Sequence, residues 1–245
     1  MTPTLDRLDV LAAQLQRMRP LNGTVLKRLR DEFAAEHTYN SNAIEGNTLT
    51  LQETALILQE GITIAEKPLK EHLEVIGYRD AFEYIITLVD VDFPLLERVI
   101  KEIHSLVLMN DWQNRGVYRS VPVTIVGASH TPPQPYLVPV QMERLLSDYT
   151  DMKKRLHTIE AVAEFHLRFE GIHPFIDGNG RTGRLVMNLE LIKAGLLPVD
   201  IKFADRRKYY DTLYSYSSAA LVELLAQYEI AELEKRINIM RMDRD

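Results

Sequence analysis

Apolar side chains recur at three- and four-residue spacing along almost the whole chain. Val25, Leu29, Phe33 and Ile44 share one face of a helix that Thr24 can cap. Leu96, Val99, Ile100, Ile103 and Val107 mark a second stripe, and Val162, Phe165, Phe169 and Ile172 a third. Leu185, Leu189, Ile192 and Leu196 form a fourth, closed by Gly195 with Pro198 shortly beyond. From about Ala219 to Met240 the pattern predicts one long amphipathic helix. A single segment breaks the period. Val121-Pro122-Val123-Thr124-Ile125-Val126-Gly127 is β-branched and roughly alternating, and a proline-rich stretch follows it. Pro122 suits only an edge strand, so this reads as a short exposed hairpin. The expected fold class is all-α with one small β-hairpin flap.

Composition narrows the function. With 46% hydrophobic and 26% charged residues over 245 positions, the chain has ordinary globular values. No apolar stretch approaches the roughly 20 residues that span a bilayer, and the N-terminus lacks the pattern of a secretory signal. A cytoplasmic location and no membrane partner are the expectations. There are no cysteines, which excludes disulfides, thiolate metal sites and thiol catalysis. The net charge of −6 comes without a Lys/Arg cluster, which disfavours nucleic acid.

The chemistry concentrates in His173-Pro174-Phe175-Ile176-Asp177-Gly178-Asn179-Gly180-Arg181-Thr182-Gly183-Arg184, between two strongly periodic helices. Pro174 disfavours carrying the first helix through His173 and leaves that residue facing the connection. Gly178 and Gly180 permit a tight turn at the start of the next helix, where unpaired N–H groups and the helix dipole favour an anion. Arg181 and Arg184 oppose that dipole, so an anion is expected beside them. Asp177 is a hard oxygen ligand suited to Mg²⁺, and His173 can accept a proton near neutral pH. Singly, each has a plainer reading as a turn, cap or solvated residue. Their conjunction within twelve positions spells phosphoryl or nucleotidyl transfer.

At every defining position this run resembles the Fic motif, and the likeness extends more loosely over about Leu95 to Leu225, including Gly116-Val117-Tyr118-Arg119. The resemblance implies a Fic-type helical bundle that moves AMP from ATP onto a Ser, Thr or Tyr hydroxyl of a target protein, with Mg²⁺. By that resemblance His173 is the base and Asp177 holds the metal. Asn179 with the Gly178 and Gly180 amides binds phosphates, Arg181 contacts the β-phosphate and Arg184 the γ-phosphate. Phe175 anchors the loop. Tyr209 and Tyr210 resemble a tyrosine pair near the adenine, with Ser217 where relatives often carry asparagine. Thr124, Ile125 and Val126 would form a target-docking flap. The related Doc toxins, which phosphorylate, replace the second motif glycine with lysine; Gly180 favours AMP transfer.

A second run, Ser41-Asn42-Ala43-Ile44-Glu45-Gly46-Asn47, resembles the inhibitory signature of the same family. Gly46 reads as a C-cap and Thr50 to Glu53 as a capping box opening another helix. Glu45 therefore stands at a helix C-terminus, where a carboxylate breaks the local rule. The resemblance implies that Glu45 pairs with Arg184 and obstructs the γ-phosphate, with Ser41 bonded toward Glu45 to steady it. The expected organisation is a helical region over 1–94, its inhibitory helix near 41–46, and a catalytic core with C-terminal helices over 95–245. Family members often dimerise, which leaves a homodimer open. Two alternatives stand beside AMP transfer: AMP removal with Glu45 orienting a water, and a nucleotide-binding regulatory module. A P-loop ATPase and a protein kinase lack their signatures here.

Overall fold

Capping chemistry sets several of the helix starts. The computed structural model describes residues 2–18, 23–91, 93–125, 127–128 and 130–242, with only the backbone course over 23–30. Its helices are α1 (Pro3–Gln16), α2 (Gly23–Ile44), α3 (Leu51–Glu60), α4 (Leu69–Thr87), α5 (Glu97–Val107), α6 (Val138–Arg155), α7 (Thr158–Ile172), α8 (Asn179–Lys193), α9 (Arg206–Tyr214) and α10 (Ser218–Met242). Thr50 closes the expected capping box on α3: its hydroxyl accepts from Glu53 N–H at 3.2 Å, and the Glu53 carboxylate accepts from Thr50 N–H at 2.7 Å. Thr24 lies inside α2, and its side chain, with those of Val25 and Leu29, falls outside the described residues.

The helix pair α7–α8 is the centre of the fold. α8 is buried on nearly every side, flanked by α4, α5, α2 and α7, while α10 packs on α7 and α1 on α10. One apolar cluster joins Tyr78, Ile100, Ile103, Phe165, Phe169, Phe175 and Leu189. A second joins Leu5, Leu8, Ile44, Val162, Met187, Tyr209 and Leu221. The connection between α7 and α8 is thus pinned through Phe175 in the first core, and burial of apolar surface, at about 25 cal/mol per Å², fixes its place. No helix among the described residues is long and apolar enough to cross a membrane.

The hairpin expected at 121–127 is absent. No strand occurs among the described residues, and 121–125 runs as an irregular segment. Its carbonyls have other partners: the Arg119 guanidinium donates to Val121 O at 3.0 Å and to Pro133 O at 2.6 Å. Prolines at 122, 132 and 133 remove the N–H groups a ladder needs. Gly127, at φ +88°, turns the chain, with Ala128 N–H donating to Ile125 O at 3.3 Å. Thr124 is exposed and Ile125 half-buried; Val126 lies outside the described residues.

Candidate active site

His173 ends α7 in the left-handed region (φ +50°, ψ +62°), its N–H donating to Phe169 O at 2.9 Å. Pro174 makes the helical conformation costly at this residue, which turns the imidazole toward the loop. Phe175 then plugs the core, stacked on His104 with ring centroids 3.6 Å apart. Asn179 holds the loop closed: its amide accepts from Phe175 N–H and donates to Phe175 O, both at 2.9 Å. Gly178 takes φ +75° and caps α8. Gly180, by contrast, sits within the first turn of α8 with no positive φ, so its glycine is explained by close approach. A Cβ there would lie 2.3 Å from Glu45 Oε1.

Glu45 arrives from the end of α2, where Gly46 (φ +98°) turns the chain away. Arg184, 2% exposed, donates to Glu45 Oε1 at 2.8 Å. It also donates to Ser41 Oγ and Ser41 O, each at 2.9 Å. Ser41 therefore steadies the arginine rather than the glutamate as expected, because its hydroxyl faces α8 across the helix interface. Burial works to lower the Arg184 pKa, and the Glu45 charge and hydrogen bond together with the neighbouring Tyr209 and Tyr78 outweigh it, leaving the guanidinium above its ordinary range. Arg181 lies 3.3 Å from Asp177 Oδ1 and 3.5 Å from Glu74 Oε1. The anions demanded by two cations at a helix N-terminus are thus three carboxylates.

The remaining predicted positions divide. Glu45, His173, Gly180, Arg184, Tyr209, Tyr210 and Ile125 line one cavity of about 160 Å³. Tyr210 sits over the turn that ends α2, its hydroxyl donating to Ile44 O at 3.2 Å. Tyr209 is fully buried, with its hydroxyl 2.7 Å from His166 Nε2. Ser217 caps the start of α10, accepting from Ala220 N–H at 3.3 Å. Asp177 is half exposed at the loop mouth, its Oδ1 accepting from Gly178 N–H at 2.6 Å. No cluster of three or more metal-ligating side chains occurs among the described residues. A lone carboxylate fits Mg²⁺ when phosphate oxygens and water complete the shell.

Several residues of the site are given no role by the sequence alone, Arg119 among them although it falls in the run that resembles the family. Arg119 donates to His173 O at 2.8 Å and to Ile172 O at 3.4 Å, tying the end of α7 to the segment at 121. His104 takes a hydrogen bond from Gly116 N–H on Nδ1 at 2.8 Å, so its Nε2–H donates to Asp177 O at 2.9 Å. Its signal was a polar residue on the apolar stripe of α5. Glu170, one turn before His173, lines the same cavity and is held protonated, its pKa up to about 8 through burial first and then the Glu45 charge. Burial also draws the His173 pKa below its ordinary value, which keeps the imidazole neutral and able to accept a proton.

Residues 94–191 match the model of the Fic/DOC family. A Fic domain containing signaling protein from Bacteroides thetaiotaomicron superposes with a TM-score of 0.86 and 30% identity, over 97% of this chain and 98% of that one. The chain belongs to the Fic/DOC family. Fic-1 from C. elegans gives a TM-score of 0.84 at 29% identity, covering 98% of this chain and 72% of that one. The curated relative named protein adenylyltransferase Fic in Nematostella vectensis is 39% identical over 215 residues, which is 85% of this chain and 49% of that protein. Its namesake in Drosophila willistoni is 37% identical over 85% of this chain and 42% of its own length. The chain thus spans half or less of the curated relatives' length. The Fic family match begins just before α5 and ends within α8, so it holds the His173 loop but not Glu45.

Proposed function

We propose that this site transfers AMP from ATP to a hydroxyl of a target protein, and that Glu45 keeps it inhibited. The observation carrying the proposal is the carboxylate of Glu45 against Gly180 and Arg184, where the first turn of a helix would otherwise receive an anion. Relatives named protein adenylyltransferase Fic, at 37–39% identity, support the same chemistry.

In the transfer, neutral His173 takes the proton of the acceptor hydroxyl. The freed oxygen bonds to the α-phosphorus, the bond to the bridging oxygen of the β-phosphate breaks, and pyrophosphate leaves. Arg181 and Arg184 orient the departing phosphates, and the Gly178 and Gly180 backbone admits them at the start of α8. Asp177 would hold Mg²⁺, which supplies charge neutralisation to the phosphates when bound. Tyr210 and Ile125 would flank the base, and the 124–126 segment would guide the target. Turnover requires Glu45 to leave Arg184. A closed-state bias of ~3 kcal/mol suppresses activity on the order of a hundredfold.

The test compares label from α-³²P-ATP and γ-³²P-ATP in the Glu45→Gly chain with Mg²⁺. Protein labelled only by the α-phosphate is the expected result. Labelling by the γ-phosphate would replace the proposal with phosphoryl transfer. The shared cavity of Glu45 and His173 also suits removal of AMP, with Glu45 orienting a water. Release of AMP from modified protein by wild type, lost in Glu45→Gly, is the outcome that reading demands.

A further inference from the structure

The turn that follows Glu45 is fastened to α4 through side chains. Asn47 Nδ2 donates to Glu74 Oε2 at 3.0 Å and to Glu71 O at 3.1 Å. Thr48 adds two bonds to the Glu71 carboxylate, from its N–H at 3.1 Å and its hydroxyl at 2.8 Å. Glu74 is 8% exposed, and its other oxygen lies 3.5 Å from Arg181 Nη1. A carboxylate this far from water is stable only with partners on its oxygens. One partner here belongs to the catalytic helix and one to the inhibitory turn; Lys70 Nζ, exposed on α4 itself, lies 3.7 Å from Oε1.

We propose that Glu74 is a positioning residue joining the two: Oε1 aligns Arg181 for the incoming anion, while Oε2, through Asn47, seats the turn that keeps Glu45 on Arg184. The proposal rests on the autoinhibited reading of the site given above. Without the Asn47 amide the turn keeps the Thr48 bonds to the Glu71 carboxylate and those from Lys67 Nζ to Thr48, at 2.6 Å to its carbonyl and 3.2 Å to its hydroxyl, and Glu45 leaves Arg184 more often. Removing Glu74 cuts the same bond from the other side and leaves Arg181 with Asp177 as its one carboxylate partner among the described residues. The two losses share one hydrogen bond, so their effects on inhibition do not add.

The experiment measures AMP incorporation from α-³²P-ATP by the full chain. Asn47→Ala and Glu74→Ala should each raise it about tenfold, the usual scale for a hydrogen bond to a charged group. The double variant should gain no more than the better single one. Glu74→Gln, whose amide oxygen still accepts from Asn47, should be released several-fold less than Glu74→Ala. With Glu45→Gly already present, Asn47→Ala should add nothing, whereas Glu74→Ala should act on KM for ATP more than on kcat. An Asn47→Ala chain no more active than its parent beside an activated Glu45→Gly overturns the joint, as does full additivity in the double variant. If Glu45→Gly is itself inactive, the autoinhibition reading fails, and the joint is judged by amide hydrogen exchange. Asn47→Ala should then speed exchange of amides 45–49 by about tenfold, and unchanged exchange overturns it.

Discussion

A methyl group on Gly180 would sit 2.3 Å from Glu45 Oε1 and 3.0 Å from Arg184 Nη1. The same space would receive a phosphate once Glu45 has left, so a side chain here obstructs both occupants. Gly180→Ala is therefore expected to lose AMP transfer by at least about tenfold even when combined with Glu45→Gly. Labelling equal to that of Glu45→Gly alone would place the phosphate elsewhere. This crowding explains what the sequence does and does not disclose. The His173–Arg184 run is legible because its chemistry is contiguous. Gly180 looked like a second turn glycine because nothing in a linear reading says that α2 delivers a carboxylate against it. Arg119, His104 and Glu170 show no role in a linear reading for a like reason: each meets the loop only when α5, α7 and the segment at 121 are brought together.

Among the elements, the stripes on α5 and α10 are legible because each of those helices turns a face to a core, and those on α7 and α8 because their large apolar residues recur at helical spacing even though both helices are buried nearly all round. α4 carries Val75, Tyr78, Phe82 and Ile85 at the same spacing, but it is also buried at His72, Glu74, Gly77 and Ala81, which blurs the contrast between its faces. The 121–127 segment misleads in the opposite direction. Its β-branched alternation is a propensity, and a strand needs a partner ladder that the Arg119 guanidinium and the prolines take away. α5 contributes to function through His104, whose ring both stacks on Phe175 and bonds the Asp177 carbonyl. His104→Phe keeps the stack and loses both bonds, leaving the Asp177 carbonyl and the Gly116 N–H unheld. About tenfold weaker use of ATP, with a stability loss of about 1–3 kcal/mol from the unpaired Gly116 N–H, is the expected result in the Glu45→Gly background. Unaltered kinetics would mean the Phe175 plug alone holds the loop.

For the whole molecule, buried titratable groups set the pH range of stability. Burial raises Glu170 and Glu229 to about 8, against 4.5 ordinarily. Such carboxyls stabilise fully below their unfolded value, and the contribution is lost as pH rises through 8. His37 and His166, lowered by burial to about 3, and His104, to about 4, contribute above 6.5 and lose that contribution as pH falls. Melting temperature should then decline from about pH 6.5 toward about pH 8.5, each carboxyl accounting for up to about 1.4 kcal/mol per pH unit. Glu229→Gln, whose amide oxygen can still accept from Leu197 N–H, should flatten that decline; an equal slope in wild type and variant would contradict it. The closed pair of Glu45 and Arg184 can be opened by one substitution and its consequence read in a single comparison. AMP incorporation from α-³²P-ATP with Mg²⁺ is measured for wild type, Glu45→Gly and Glu45→Gly/His173→Ala. The account predicts little label in wild type, on the order of a hundredfold more in the single variant, and none above background in the double. Equal labelling of wild type and Glu45→Gly, or label that survives loss of His173, would contradict it.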